Sequence, residues 1–227
     1  MFEDRQQAGR QLAAELDKLR LQQPVVLALP RGGVPVAAEV AKVLGTALDL
    51  VIVRKVGAPG NPELAVAAIV DGDPPDVVLN REIVEAYALD NSQLADLIKR
   101  ERPELERRRL AYLGDRHPLS VEGKTVIVVD DGAATGTTMK VAVRALRRRS
   151  PREIVVALPV APLDTIEELM LEANRVVCLS QPTRFHALGY HYKAFPHLSD
   201  GEVTEALQEV ARRRKPHAAF FPRAADP

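Results

Sequence analysis

Tryptophan is absent from the 227 residues, and cysteine occurs once, at Cys178. A lone thiol excludes an intrachain disulfide, so packing and hydrogen bonds must hold the fold. No excess of charge exists either: 31 Lys and Arg balance 31 Asp and Glu. That balance argues against a strongly basic nucleic-acid binder and against an acidic solvating tail. No stretch approaches the run of about 18 apolar residues that spans a bilayer. The opening Met1 to Arg10 is polar and lacks an apolar core segment, so no secretory signal and a cytoplasmic location are expected. With 46% hydrophobic and 27% charged residues, the composition is that of a globular chain rather than a disordered or collagenous one. A chain of this length can bury most of its apolar surface without staples.

Short apolar runs alternate with helical patterns. Pro24 to Leu29 is a run closed by Pro30 and Gly32-Gly33, and residues 35 to 44 follow at helical spacing until Gly45. Leu48 to Val53 and Leu64 to Val70 are further runs, and Val77 to Leu79 is a short one that could pair with the latter as a hairpin. Thr125 to Val129, Ile154 to Leu158 and Val176 to Leu179 read as strands, with helices over 136–149 and 162–172 between them. Continuous apolar strands separated by helices predict an α/β domain with a parallel sheet covered on both faces. Cys178 falls inside the last strand and reads as a small core hydrophobe. Residues 80–113 form a charged, helical insertion of two or three helices, in which Pro103 is expected to break or kink the pattern. Residues 1–179 would make the core and 180–227 a hood, helix and tail, all in one domain.

The strongest chemical signal is Thr125-Val-Ile-Val-Val-Asp-Asp-Gly-Ala-Ala-Thr-Gly-Thr-Thr138. A strand ends in two carboxylates, a turn of small residues follows, and a helix begins. Tiny and hydroxylated side chains let backbone N–H groups close on an anion, and the helix N-terminus adds partial positive charge. The carboxylates repel phosphate, so they suit sugar hydroxyls or a metal instead. The string lacks the Gly-Lys-Ser/Thr ending of a nucleotide-binding P-loop.

This string resembles the PRPP-binding signature of type I phosphoribosyltransferases. The resemblance implies a doubly wound parallel sheet of that kind, with the 80–113 insertion and a C-terminal hood. It implies that Asp130 and Asp131 hold the ribose hydroxyls of PRPP and, directly or through water, Mg²⁺. Ala134, Thr135, Gly136, Thr137 and Thr138 would wrap the 5′-phosphate. Leu29-Pro-Arg-Gly-Gly-Val-Pro-Val36 is similar to the family's pyrophosphate loop, which assigns Arg31, Gly32 and Gly33 to pyrophosphate. Val53-Arg-Lys-Val-Gly-Ala-Pro-Gly-Asn-Pro-Glu63 is similar to the family's mobile catalytic loop. Arg54 and Lys55 would meet pyrophosphate there, and its glycines and prolines suit a lid without regular structure. Lys55, Glu63 and Asp131 are the catalytic candidates. Many purine-type members carry a carboxylate three residues after the second acid. That position is Ala134 here, so Glu63 becomes the candidate base. This sequence also has Gly132-Ala133 where two bulky apolar residues are usual.

The expected activity is transfer of the phosphoribosyl group of PRPP to a nitrogenous acceptor, with a nucleobase as the leading choice and a homodimer as the assembly. Phe185 and Tyr190, with His186, Tyr192 and Phe195 nearby, offer flat faces for a planar acceptor, although they could equally form a hydrophobic cover. Histidines 186, 191 and 197 are read as non-metal. Arginine clusters at 107–109, 147–149 and 212–215 suit helix ends. They also support the alternative, a PRPP-sensing regulator of this fold that binds RNA or a protein. Neither a membrane nor, on the main reading, a nucleic-acid partner is expected.

Overall fold

The computed structural model describes residues 1–72 and 74–214, apart from the side chains of Glu63 and Arg214. Lys215, the last member of the third basic cluster, lies outside the described residues. The chain runs α1 (Arg5–Asp17), β1 (Pro24–Ala28), α2 (Gly33–Leu44), β2 (Ala47–Leu50), β3 (Val53–Ala58), β4 (Asn61–Val70) and β5 (Asp76–Leu79). It continues with α3 (Arg81–Ala86), α4 (Asn91–Leu113), β6 (Thr125–Val129), α5 (Thr137–Arg147), β7 (Glu153–Val160), α6 (Leu163–Glu172), β8 (Arg175–Ser180) and α7 (Asp200–Arg214).

Five strands form a parallel sheet in the order β2-β1-β6-β7-β8. The β-branched run of β6 is central and buried along its whole length, which is why it lacks alternation. One face packs against α1, α2 and α7 through Leu12, Val40, Ile127 and Leu207, among others. The other packs against α5 and α6 through Leu146, Leu158 and Leu169. Helix α1 lies close on α2: a Cβ on Gly9 would sit 2.7 Å from the Val36 carbonyl oxygen, so only glycine permits that approach. Cys178 is half-buried in β8, where burial pushes its thiol pKa up and its Sγ contacts the Ser180 carbonyl at 3.3 Å. Among the described residues no helix is long and apolar enough to cross a membrane.

Three sequence expectations need correction. The runs after β2 leave the parallel sheet and form a second, antiparallel sheet, β3-β4-β5. A two-residue gap after Leu50 leaves no room for a crossover helix, and parallel pairing needs one. The expected irregular lid over 55–63 is instead a paired hairpin: Lys55 faces Ala68 and Val56 faces Ala67, with register shifts on either side of Gly57. The β4–β5 pairing read from Val77 to Leu79 does form. Finally, Pro103 does not end α4, which runs unbroken for 23 residues from an Asp90/Gln93 capping box. Pro103 is exposed, as is Lys99 one turn before it, so water can take the carbonyl that a proline nitrogen cannot serve.

Candidate active site

The loops after β1 and β6 meet at the carboxyl edge of the sheet. Leu29 N–H donates to the Val129 carbonyl at 2.9 Å, which fixes the two strand ends side by side. Beyond them the turn at Gly32-Gly33, reached through a cis peptide between Pro30 and Arg31, lies directly on the acidic pair. A Cβ on Gly32 would stand 2.3 Å from one carboxylate oxygen of Asp131, and a Cβ on Gly33 2.8 Å from the Asp130 Cα.

The two acids have different surroundings. Asp131 is only 6% exposed, and its Oδ2 accepts a hydrogen bond from Arg5 Nε at 2.7 Å. Its carbonyl oxygen accepts the buried Tyr192 hydroxyl. Asp130 is half-buried and makes no ion pair among the described residues; one of its oxygens accepts the Asp131 N–H at 2.9 Å. Burial, and then the neighbouring Asp131 charge, push the Asp130 pKa well up.

From Gly132 the chain turns into α5. Gly132 has φ +152° and Gly136, the residue before the helix, φ +63°, conformations that suit glycine. Ala133 N–H is anchored to the Val160 carbonyl at 3.0 Å, and Thr165 Oγ1 donates to the Ala134 carbonyl at 2.7 Å. Ala134, Thr135 and Thr137 are exposed, and the Thr135 and Thr137 hydroxyls lie 3.1 Å apart. No side chain caps the start of α5, which leaves its first amides to an outside acceptor. Lys55, Asn80, Arg81, Thr137 and Thr138 line one cleft of about 560 Å³ between the antiparallel sheet and α5.

The other candidates are placed apart. Arg31 is tied to the hood, donating to the Leu198 carbonyl at 2.8 Å and lying 4.0 Å from Asp200. Arg54 binds Glu101 of α4 at 2.6 Å and does not line the cleft. Glu63 belongs to β4 by its backbone, and its side chain is outside the described residues. In the hood, Phe185 stacks on His191 at 5.0 Å, while Tyr190 is 73% exposed and meets His186 edge-on. Tyr192 and Phe195 stack on each other and, with Phe2, belong to a buried cluster, so these two form part of the cover. Sequence reasoning missed Arg5. It reaches Asp131 across 126 positions, so no local pattern could reveal it.

A parallel sheet with two glycine-bearing loops pressed together at its carboxyl edge is the α/β arrangement in which ligands are held beyond the strand ends. The chain belongs to the phosphoribosyl transferase domain family, whose model matches residues 2–193. Two strains of Mycobacterium tuberculosis, CDC 1551 / Oshkosh and H37Rv, each have a relative provisionally named a phosphoribosyl transferase. Each is 41% identical over 227 residues, covering 100% of this chain and 51% of the relative. The chain therefore spans about half the length of these curated relatives. The crystal structure of TT1426 from Thermus thermophilus superposes with a TM-score of 0.82 at 44% identity, over 92% of this chain and 98% of that one.

Proposed function

We propose that this domain transfers the 5-phosphoribosyl group of PRPP to a nitrogenous acceptor, a nucleobase, and releases pyrophosphate. The observation that carries the reading is the contact of the Gly32-Gly33 turn with the acidic end of β6, directly before an uncapped helix N-terminus. Phosphate, ribose and pyrophosphate recognition then lie within one ligand's length.

Each group has a task in this scheme. The exposed Thr135 and Thr137, with Thr138 and the first amides of α5, bind the 5′-phosphate. Asp130 accepts from a ribose hydroxyl. Its hard oxygens, free of any cationic partner among the described residues, fit Mg²⁺, with Asp131 behind it. When bound, Mg²⁺ would offset the negative charge of the pyrophosphate. The bond from C1 to the pyrophosphate oxygen breaks, its electron pair leaves with pyrophosphate, and the acceptor nitrogen forms the new bond to C1. Lys55, and Arg31 once it leaves the Leu198 carbonyl, stabilise the departing charge. Ala134 supplies no carboxylate for the acceptor's proton, and Glu63 is assigned that role.

The regulator reading gains no support from the basic clusters. Arg107 and Arg108 both pair with Glu104, and Arg149 pairs with Asp76. The test is incubation with PRPP, Mg²⁺ and a panel of nucleobases. Pyrophosphate release with one base is expected. Saturable PRPP binding without release under any base would refute the transferase and favour the regulator.

A further inference from the structure

Arg5 stands outside every segment of the phosphoribosyltransferase signature, yet its side chain pairs directly with one of the two signature acids. Its side chain is 8% exposed, as is that of Asp131, and the Nε to Oδ2 distance is 2.7 Å. A second nitrogen donates to the Pro196 carbonyl at 2.9 Å, and the guanidinium lies 3.8 Å above the Phe195 ring. Around it Phe2 N–H donates to the His191 carbonyl, and Lys193 N–H to the Phe2 carbonyl. One arginine therefore joins α1, the hood and the acidic end of β6.

We infer that Arg5 is a positioning residue of the site: it neutralises Asp131 and pins it beneath Gly32, so that Asp130 is the carboxylate presented to ligand. The inference rests on the proposed transferase reading for the identity of that ligand. The physical reason is charge. Two adjacent carboxylates at the end of a buried strand repel each other, and a guanidinium on the inner one removes most of that repulsion. The guanidinium gives Asp131 one bond from Nε, and its anchors on the Pro196 carbonyl and the Phe195 ring hold that donor in place, which an ammonium would not reproduce. Asp131 is shielded from solvent by the loop, the arginine and the hood, whereas Asp130 is only partly buried.

The experiment compares the native chain with Arg5→Gln, Arg5→Lys, Asp131→Asn, Asp130→Asn and the double variant Arg5→Gln/Asp131→Asn. Thermal unfolding is read first. Arg5→Gln and Asp131→Asn should each lower Tm by about 5 °C or more, because each strands a buried partner. The double variant should lose clearly less than the sum of the two. Mn²⁺ affinity in the presence of PRPP, read by electron paramagnetic resonance, is the second measurement. Arg5→Gln should tighten it by about three- to tenfold, since it exposes an uncompensated carboxylate beside the metal ligand. Arg5→Lys keeps the charge and should stay near the native affinity despite a lower Tm, and Asp130→Asn should lose binding. A purely structural arginine would shift Tm in both Arg5 variants and Mn²⁺ affinity in neither, which would overturn the inference, as would strict additivity of the Tm losses. Should Arg5→Gln fail to fold, the double variant has no stranded charge and is expected to fold and to bind Mn²⁺ through Asp130. A folded double variant without Mn²⁺ binding would overturn it. Absence of Mn²⁺-PRPP binding by the native chain would refute the transferase reading, and the thermal cycle would still decide the role of Arg5.

Discussion

Replacing Gly32 by alanine tests the contact between the two site loops. Gly32 has φ −58° and ψ −40°, a conformation open to any residue, so the substitution carries no backbone strain. Its cost comes from space alone. The new methyl would stand 2.3, 2.5 and 2.7 Å from the three carboxyl atoms of Asp131. A flexible exposed carboxylate would swing aside, but this one is held by Arg5 at 2.7 Å and its main chain by Tyr192. Either the loop lifts from the sheet edge or Asp131 leaves its guanidinium. Overpacking of this kind costs about 1–3 kcal/mol, and loss of a hydrogen bond between charged groups about 1.5–3 kcal/mol. The chain takes the cheaper route, so a loss of about 1–3 kcal/mol is expected. At about 2–4 °C per kcal/mol for a chain of this size, Tm should fall by roughly 2–12 °C. PRPP binding should weaken as well. Gly201→Ala in α7 is the control, with nothing nearer its Cβ than 3.8 Å, and it should leave Tm unchanged or slightly raised. Thermal unfolding followed by circular dichroism gives both values. A Gly32→Ala protein that melts with the native chain would refute the tight apposition of the loops.

Thr135→Val and Thr138→Val should each weaken ribose 5-phosphate binding by about 1.5–3 kcal/mol, as measured by calorimetric titration. Thr165→Val removes the bond to the Ala134 carbonyl and should cost about 1 kcal/mol of stability in denaturant unfolding. Gly132→Ala would drive a methyl to 2.3 Å from Leu188 Cδ1 in a backbone conformation suited to glycine, and should lower Tm by more than Gly32→Ala does. Lys55→Ala should reduce turnover with PRPP far more than it affects ribose 5-phosphate binding, which involves no pyrophosphate; equal losses in both assays would remove Lys55 from that role.

The parallel half of the fold was legible because its signals are local. The apolar run of β6, the paired acids and the glycines before α5 sit within fourteen consecutive residues, and each is dictated by its neighbours. The second sheet was not legible in the same way. β3 and β4 carry apolar residues as the parallel strands do, and only the length of the connection distinguishes antiparallel from parallel pairing. Pro103 misled because helix propensity treats it as a breaker, whereas the burial of Leu94, Leu105 and Tyr112 on either side of it holds α4 together across the proline. In the site, Asp130 and Asp131 share the ribose and metal roles in the sequence reading, with Asp131 the catalytic candidate. Their difference depends on Arg5, Tyr192 and Phe195, which approach from both ends of the chain.

The antiparallel sheet has the mechanics of a braced beam: Val56, Ala58 and Val66 are buried in the core along its length, and Arg54 ties β3 to Glu101 of α4. Its root is clamped: Arg149 bonds the Asp71 carbonyl and the Asp76 carboxylate, and Asp71 N–H is held by the Ile52 carbonyl. Its far end is the turn at Pro59-Gly60, where a Cβ on Gly60 would meet nothing within 4 Å. At about 3.4 Å per residue, Lys55 lies about 7 Å from the root pair Val53–Val70, and the turn about 20 Å from it. With Ala58 buried, only the turn itself stands clear of the core, and the Lys55 backbone is held by its buried neighbour Val56. The reach of the ammonium therefore comes from its own side-chain torsions.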